Sequence, residues 1–210
     1  MIERDFKEAN NNMVDYLIDV GVLRSSRIIE AFRNIDRADF VVDRNSENIY
    51  EDYPLGIGNK QTISQPRTVA MMLEMLSPNE ADNILDIGSG SGWTTALLAY
   101  IVGGSGSVVG VERVRELVEF GSANLKKYKF KNAKIVEAGD ELGIPTEKFD
   151  RILVSAAADE LPHELIEQLK PSAKLIIPIK SSIFEITKKE DGSFESNEHY
   201  GFTFVPLIYW

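Results

Sequence analysis

The stretch Leu85-Asp86-Ile87-Gly88-Ser89-Gly90-Ser91-Gly92-Trp93 decides the fold of this chain of 210 residues. The apolar run that begins at Asn83 ends at Ile87, three glycines follow at alternate positions, and the segment from Trp93 to Tyr100 is typical of a helix. Glycines let the backbone turn sharply and let a ligand approach the main-chain N–H groups. A strand, a glycine-rich turn and a helix N-terminus in this order predict a nucleotide-binding site.

A second strand is predicted at Val108 to Val111, and it ends in Glu112, 20 positions after Gly92. An acidic side chain at that point can accept hydrogen bonds from both hydroxyls of a ribose. The sequence therefore predicts a cofactor that contains adenosine. The alternative is an ordinary α/β turn whose glycines serve geometry alone, but such a turn leaves the combination of Asp86 and Glu112 unexplained.

The glycine spacing and Asp86 together indicate which cofactor is bound. A dinucleotide fingerprint has the form G-x-G-x-x-G, whereas this chain has G-x-G-x-G followed by the bulky Trp93. The carboxylate of Asp86, two residues before the first glycine, would repel a pyrophosphate and attract a cationic amino-acid group. S-adenosylmethionine carries an ammonium and a sulfonium and has no phosphate. We therefore expect S-adenosylmethionine and keep NAD as the alternative.

From Pro66 onward, predicted strands and helices alternate, which indicates βαβ units and a parallel sheet. Two strands without an intervening helix, at 184–187 and 201–207, lie on either side of a turn at Asp191-Gly192 and predict an antiparallel edge. The predicted fold is α/β, a doubly wound Rossmann-like methyltransferase fold with an N-terminal helical extension and an antiparallel edge at its C-terminal end. The predicted parallel strands are 83–87, 108–111, 133–137, 150–154 and 174–179, and the predicted helices are 66–76, 93–101, 115–128 and 162–169.

The first part of the chain has a different pattern. Residues 1–50 carry apolar side chains at three- and four-residue steps, which predicts helices. The following segment, Ile49 to Ser64, contains one proline and two glycines and has no clear period; connections of this length are often functional. We therefore divide the chain into a helical extension with a substrate-covering loop, 1–65, and a methyltransferase core, 66–210.

Composition limits the partners that this chain can have. Its 33 acidic residues outnumber the 23 basic ones, and the net charge of −10 disfavours nucleic acid. The basic run from Lys126 to Lys131 is interpreted as a solvated helix end. No signal-peptide pattern is found at the start of the sequence and no apolar stretch approaches about 20 residues, so we expect a protein that is not exported. Without cysteine the chain can form no disulfide. We expect a cytoplasmic monomer that binds no metal, no nucleic acid and no membrane.

Residues with useful chemistry follow four strands in succession. In a doubly wound sheet, ligands bind beyond the carboxyl ends of the strands. Asp86 and Glu112 follow the first two strands, and Gly139-Asp140-Glu141 follows the third, where a carboxylate can accept a hydrogen bond from an adenine amino group. Ser155-Ala156-Ala157-Ala158 follows the fourth and leaves room for a substrate. No general base stands there, and the Asn/Asp-Pro-Pro-aromatic segment of methyltransferases that act on nucleic-acid amines is missing, so the favoured acceptor is a carboxylate.

The chain resembles the protein-L-isoaspartate (D-aspartate) O-methyltransferase family over nearly its whole length. The most specific likenesses are Gln61-Thr62-Ile63-Ser64-Gln65-Pro66, which is similar to the Thr-Ile-Ser-x-Pro signature of the family, and Ala156-Ala157-Ala158. The resemblance implies S-adenosylmethionine-dependent methylation of the α-carboxylate of L-isoaspartyl residues in damaged proteins, which initiates their repair. Other segments in the family order are Asp86 to Trp93, Glu112-Arg113, Gly139-Asp140, Phe149 to Ile152, Leu169 to Pro171, Ile177-Pro178 and Phe204 to Leu207.

The resemblance also implies that Ser64 is the catalytic residue, in a segment that covers substrate and cofactor. Taken alone, Ser64 fits a cap of the following helix. Because a serine hydroxyl is a poor base, we expect it to orient the substrate carboxylate by hydrogen bonding. The cofactor residues expected beside it are Ile63, Asp86, Gly88, Gly90, Gly92, Glu112, Asp140 and Glu141. The expected substrate residues are Thr62, Ser64, Arg67, Ala156 and Ala157.

Several departures from the family pattern lie on the substrate side. Arg67 stands where many members carry an aromatic residue or histidine, Asp159 replaces a proline, and Lys180 replaces a glycine. Glu141 replaces a glycine after Gly139-Asp140. These departures keep two alternatives open, a methyltransferase of the same fold with a different acceptor and a protein that binds S-adenosylmethionine with impaired catalysis.

Overall fold

The computed structural model describes residues 5–209, which form six α-helices and nine β-strands. A short 3-10 helix at Arg37–Phe40 follows the second α-helix. The helices are α1 (Phe6–Asp19), α2 (Ser26–Asn34), α3 (Pro66–Leu76), α4 (Trp93–Val102), α5 (Arg115–Lys126) and α6 (His163–Glu167). The strands are β1 (Leu55–Gly58), β2 (Gln61–Ile63), β3 (Asn83–Ile87), β4 (Ser107–Glu112), β5 (Ala133–Glu137), β6 (Phe149–Val154), β7 (Leu169–Ile179), β8 (Ser182–Lys188) and β9 (Phe194–Tyr200).

Seven of the strands form one sheet in the order β5-β4-β3-β6-β7-β8-β9. The first five in this order run parallel, and β8 and β9 are antiparallel, so the predicted fold class is confirmed. Ile87 pairs with Val111 on one side and with Val154 on the other. This register brings the carboxyl ends of β3, β4 and β6 to the same edge of the sheet, where ligands bind in folds of this kind.

Two hydrophobic clusters cover the two faces of this sheet. Successive side chains of a strand point to opposite faces. Ile84 accordingly belongs to the cluster that α1 to α5 cover, and Leu85 to the cluster that α6 and the segment before β6 cover. A strand that is buried on both faces has a nearly continuous apolar run, which is why β3 and β4 could be recognised in the sequence.

The N-terminal helices pack directly onto the sheet's own helices. Phe32 of α2 is fully buried, and its ring meets the edge of Trp93 in α4 with the ring centroids 5.5 Å apart. Met13 and Leu17 of α1 belong to the same hydrophobic cluster as α4. Burying an aromatic or large aliphatic side chain contributes about 1.5–3 kcal/mol. The extension and the core therefore share one hydrophobic interior.

Three sequence-based assignments of secondary structure need correction. The segment 49–64 contains a short hairpin of β1 and β2. The strand predicted at 174–179 begins at Leu169, which shortens the preceding helix to His163–Glu167. The strand predicted at 201–207 is wrong, because the edge strand is Phe194–Tyr200. That strand pairs in register with β8 although all but one of its residues are exposed, so it lacks the apolar alternation that marks a half-buried strand.

Within residues 5–209, none of the helices combines the length and the apolar character that crossing a membrane requires.

Candidate active site

A cavity of about 280 Å³ lies at the carboxyl ends of the parallel strands. Its floor is the glycine turn between β3 and α4, and its sides are the ends of β4, β5 and β6. The segment that holds Ser64 and the C-terminal segment 205–209 cover it. Elements that are far apart in sequence thus enclose one volume at the edge where the sequence predicted a ligand.

The glycine turn is held by the neighbouring strand and leaves little space around its glycines. The N–H groups of Gly88 and Ser89 donate to the carbonyl of Val111, at 2.9 and 3.2 Å. Gly90 has φ +50°, and a Cβ there would lie 3.2 Å from the side chain of Ile57. At this positive φ a side chain would be strained and would press on Ile57, so glycine lets the turn present bare backbone to the cavity.

Glu112 is the side chain whose position best fits a ribose acceptor. The residue is 6% exposed, and one carboxylate oxygen accepts the Gly90 N–H at 3.0 Å while the other accepts the Val114 N–H at 2.9 Å. Each carboxylate oxygen can accept a second hydrogen bond. Two main-chain donors thus fix the carboxylate beside the turn and leave capacity for two ligand hydroxyls.

Asp86 is fully buried beneath the turn. One of its oxygens accepts the hydroxyls of Thr94 at 2.8 Å and Thr95 at 2.6 Å, and the other has no hydrogen-bond partner in the described chain. The pKa of Asp86 is raised to about 6, mainly by burial and to a smaller extent by the negative charge of Glu112, while the hydrogen bonds from the two threonine hydroxyls act against this shift. A cationic group bound above the turn would favour the ionised form.

Two further buried polar atoms at the turn have no partner among residues 5–209, the hydroxyl of Ser89 and the indole N–H of Trp93. Both residues line the cavity. A buried polar group without a hydrogen bond is costly. These atoms, the free oxygen of Asp86 and the spare capacity of Glu112 fit a polar, cationic, adenosine-containing ligand such as S-adenosylmethionine.

Ser64 lies on the wall of the cavity that faces the turn, and its side chain is half-buried. The interpretation of Ser64 as a helix cap is wrong, because Gln65 occupies the N-cap position of α3 and the helix has no side-chain cap. The hydroxyl of Ser64 is therefore not used by the helix that follows it.

The structure brings together most of the predicted site residues. Those that line the cavity are Thr62, Ile63, Ser64, Gly88, Gly90, Glu112, Glu141 and Ala156. Asp86 and Gly92 do not line the cavity. Asp86 lies under the turn, and Gly92 ends the turn as the N-cap of α4. Asp140 is exposed and outside the lining.

Arg67 and Ala157 also lie outside the cavity lining. The side chain of Arg67 belongs to a separate open cavity between the segment after α1, helix α3 and strands β7 to β9. Both backbone groups of Ala157 bind the C-terminal segment. Its N–H donates to the carbonyl of Val205 at 2.8 Å, and its carbonyl accepts the N–H of Leu207 at 2.7 Å. For both residues, the assignment to the substrate stays a prediction.

Sequence reasoning missed two parts of the lining. Glu137 ends β5, pairs in register with Glu112 and lines the cavity, whereas the strand-end argument at this third strand selected Asp140 and Glu141. Residues 205–209 were interpreted partly as a strand, although they cross the cavity and are tied to Ala157. The conformation of this segment depends on Ala157, about 50 residues earlier in the chain, so no local sequence pattern predicts it.

Comparison with known proteins identifies the family. The family model for protein-L-isoaspartate(D-aspartate) O-methyltransferase (PCMT) matches residues 7–209. The chain belongs to this family. A protein-L-isoaspartate O-methyltransferase of Pyrococcus horikoshii is 41% identical over 99% of this chain and 96% of its own length. The enzyme of that name from Thermococcus onnurineus is 43% identical over 93% of this chain and 91% of its own length.

Solved structures of the family have the same architecture. A Plasmodium falciparum crystal structure assigned as a protein-L-isoaspartate O-methyltransferase, in complex with S-adenosyl-L-homocysteine, has a TM-score of 0.85 and 28% identity. It is matched over 98% of this chain and 99% of its own. The predicted family and fold are confirmed, and an oxidoreductase that uses NAD is no longer a candidate.

Proposed function

We propose that this chain transfers the methyl group of S-adenosylmethionine to the α-carboxylate of L-isoaspartyl residues in damaged proteins, and so initiates their repair. The observation that carries this proposal is the single cavity shared by the Ser64 segment and the glycine turn, in a chain that belongs to the isoaspartyl methyltransferase family. The P. falciparum relative holds S-adenosyl-L-homocysteine, which lacks the methyl group and thus corresponds to the product side of this reaction.

The chain's own residues divide the binding of the cofactor among them. Glu112 accepts the ribose hydroxyls, Asp86 contributes negative charge beneath the cationic part, and the main chain of Gly88 and Gly90 allows close contact. When bound, S-adenosylmethionine supplies an electrophilic methyl group and its own leaving group. The protein is left with positioning and the exclusion of water.

Ser64 orients the acceptor by donating a hydrogen bond to the substrate carboxylate. With S-adenosylmethionine bound, a carboxylate oxygen held in this way would form a bond to the methyl carbon as the bond from that carbon to sulfur broke. The products are a methyl ester and a neutral thioether, and no proton moves. A carboxylate is already an anion at neutral pH, which agrees with Ala156 and Ser155 standing at the fourth strand end instead of a general base.

We also propose that the protein acts as a monomer in the cytoplasm on damaged proteins or peptides. Size-exclusion chromatography with light scattering tests the first part. A mass near 23.5 kDa is expected for one chain, and about twice that mass would contradict the proposal.

A paired-peptide assay tests the reaction. Two peptides that differ only in an isoaspartyl or an aspartyl residue are incubated with the protein and labelled S-adenosylmethionine. We expect a base-labile methyl ester on the isoaspartyl peptide alone. Label on neither peptide, despite binding of the cofactor by calorimetry, would favour the alternatives of a changed acceptor or impaired catalysis.

Replacement of Ser64 by Ala tests the assigned role. A hydrogen bond to a charged group is worth about 1.5–3 kcal/mol, so we expect kcat to fall roughly 10- to 150-fold. Affinity for S-adenosylmethionine should change less than twofold, an order-of-magnitude expectation for a group that does not bind the cofactor. Ser77→Ala is the control, because Ser77 is exposed and ends α3 away from the cavity. A loss of cofactor affinity with unchanged kcat would contradict the role.

A further inference from the structure

Arg37 is a fully buried cation in the N-terminal extension. Its guanidinium donates three hydrogen bonds to main-chain carbonyls: Nε to Ile49 at 2.8 Å, one terminal nitrogen to Ser64 at 2.6 Å and the other to Tyr53 at 3.3 Å. The guanidinium also lies over the ring of Trp93, 4.7 Å from its centroid. One side chain thus contacts four residues, three in the segment 49–64 and one at the start of α4.

The buried position of Arg37 imposes a desolvation cost on its positive charge. Among residues 5–209, no carboxylate lies within salt-bridge distance of the guanidinium. Burial lowers the pKa of Arg37 to about 9, and the more distant charge of Asp52 acts against this shift. Carbonyl dipoles and an aromatic face compensate such a charge only when they are held in a favourable geometry. Because this charge is buried, the carbonyl groups and the Trp93 ring must keep one favourable arrangement around it.

These partners connect the two halves of the site. Ile49 and Tyr53 begin the segment that covers the cavity, and Ser64 ends it, so the guanidinium joins both ends of the covering segment. Trp93 is the first residue of α4 after the glycine turn, and its side chain lines the cavity. One rigid, planar group thus bridges the Ser64 backbone and the first residue of α4 after the turn.

From these contacts we infer that Arg37 is a positioning residue that holds the Ser64 segment at its working distance from the glycine turn. This inference rests on the proposed function, because it gives Arg37 its effect on methyl transfer through Ser64. Arg37 contacts neither the acceptor nor the methyl donor in this role. Its replacement should therefore affect turnover and the order of the covering segment more than affinity for the cofactor.

The test compares Arg37→Lys and Arg37→Met with the control Arg33→Met. Lysine keeps the charge and three donors but lacks the planar fork, whereas methionine removes both. Arg33 lies on the surface of α2, where it pairs with Asp15 at 2.6 Å. For each folded variant, kcat and KM for the isoaspartyl peptide are measured at saturating S-adenosylmethionine, affinity for S-adenosylhomocysteine by calorimetry, and amide hydrogen exchange over residues 61–66 by mass spectrometry.

We expect kcat to fall about tenfold or more in Arg37→Met and by a smaller factor in Arg37→Lys. S-adenosylhomocysteine should bind each variant with less than about a threefold change, and exchange over 61–66 should be faster in both. The control should match the wild type in all measurements. Unchanged kcat and exchange in both Arg37 variants would overturn the inference, and so would loss of S-adenosylhomocysteine binding in both, because Arg37 would then serve the fold as a whole.

The failure of the inference is distinguishable from that of the proposed function. A wild-type protein that methylates neither peptide counts against the proposed function. Hydrogen exchange and S-adenosylhomocysteine binding need no turnover, so they still judge whether Arg37 holds the covering segment.

Discussion

At the scale of single residues, Asp86 shows how tertiary burial changes the chemistry of a group that the sequence already singled out. The sequence suggested direct contact between its carboxylate and a cationic ligand. In the structure it is fully buried under the glycine turn, with one oxygen on two threonine hydroxyls and the other free. Its charge can still act on a ligand above the turn, because charges interact strongly where water is absent.

The raised pKa of Asp86 predicts how stability depends on pH. The folded protein holds this proton more tightly than the unfolded chain, since the pKa rises from 3.8 to about 6. The contribution of this group to the free energy of unfolding is therefore present below pH 3.8 and is lost as the pH rises to about 6, by up to about 3 kcal/mol. Urea unfolding of the wild type and Asp86→Asn at pH 4.5 and pH 7 isolates it. If the free energies of unfolding of the wild type and Asp86→Asn differed by the same amount at both pH values, the prediction would be contradicted.

The same titration predicts that binding of S-adenosylmethionine depends on pH. If the cationic cofactor binds the ionised form of Asp86, apparent affinity should rise about tenfold between pH 5 and pH 7. Calorimetry on the wild type and Asp86→Asn checks this expectation. A rise of the same size in the variant would contradict this role of Asp86.

Glu112 gives the third prediction at this scale. Glu112→Gln replaces one carboxylate oxygen by an amide nitrogen, and either orientation of the amide places a donor against the N–H of Gly90 or of Val114. We expect affinity for S-adenosylmethionine to fall by about 1–3 kcal/mol. Glu116→Gln, at an exposed position of α5, should leave it unchanged. Equal affinity in the wild type and Glu112→Gln would remove the ribose role.

At the scale of elements, the glycine turn depends on the close approach of α5. Asn124 of this helix donates its side-chain N–H to the carbonyl of Ser91 at 3.0 Å. A Cβ on Gly121 would lie 2.7 Å from the carbonyl oxygen of Gly90 and 2.9 Å from the side chain of Ile135. The sequence contains Gly121 without any sign that its neighbour is the turn about 30 residues earlier.

Replacement of Gly121 by Ala therefore tests the packing of α5 on the turn. Alanine normally favours a helix over glycine by about 1 kcal/mol, but here the added methyl group must displace backbone. We expect the protein to lose about 1–3 kcal/mol of stability and to bind S-adenosylmethionine more weakly. Gly104→Ala is the control, since a Cβ there meets nothing within 4 Å. A Gly121→Ala variant that is more stable than the wild type would show that the turn backbone can move aside without loss of stability.

At the scale of the whole molecule, the boundary drawn at residue 65 does not divide the hydrophobic interior. Met13, Leu17 and Phe32 of the extension belong to the same cluster as Leu73 and Trp93 of the core. A helical extension that only covered a substrate would not need to share an interior with the sheet. We propose that 1–65 and 66–210 fold and unfold as one cooperative unit, and that the extension also covers the substrate.

Cooperativity can be measured on two proteins. The full chain should unfold in urea in one transition that is the same by circular dichroism and by tryptophan fluorescence. The fragment 66–210 should lack a cooperative transition, because removal of α1 and α2 exposes the apolar faces of α3 and α4. A fragment that unfolds cooperatively with the stability of the full chain would make the division at residue 65 a true domain boundary.

The sequence by itself determined those parts of the protein whose signals are local. The central strands and the glycine turn are short, contiguous patterns with their own physical cause, such as double burial for β3 and a sharp turn for Gly88 to Gly92. They were enough to predict the α/β fold and the cofactor class, whereas the role expected of Ser64 rested on the resemblance of 61–66 to the family signature. The edge strand β9 could not be found in this way, because it is held by pairing with β8 and has almost no buried face.

Only the tertiary structure decided which groups meet. It placed Arg67, in the first turn of α3, at a different cavity from Ser64, which precedes that helix, although only three positions separate them. It brought Arg37 to Ser64 and residues 205–209 to Ala157, over separations that leave no periodic trace. Burial and long-range hydrogen bonds are properties of the packed chain, so the pKa of Asp86 and the support of the site could be seen only after folding.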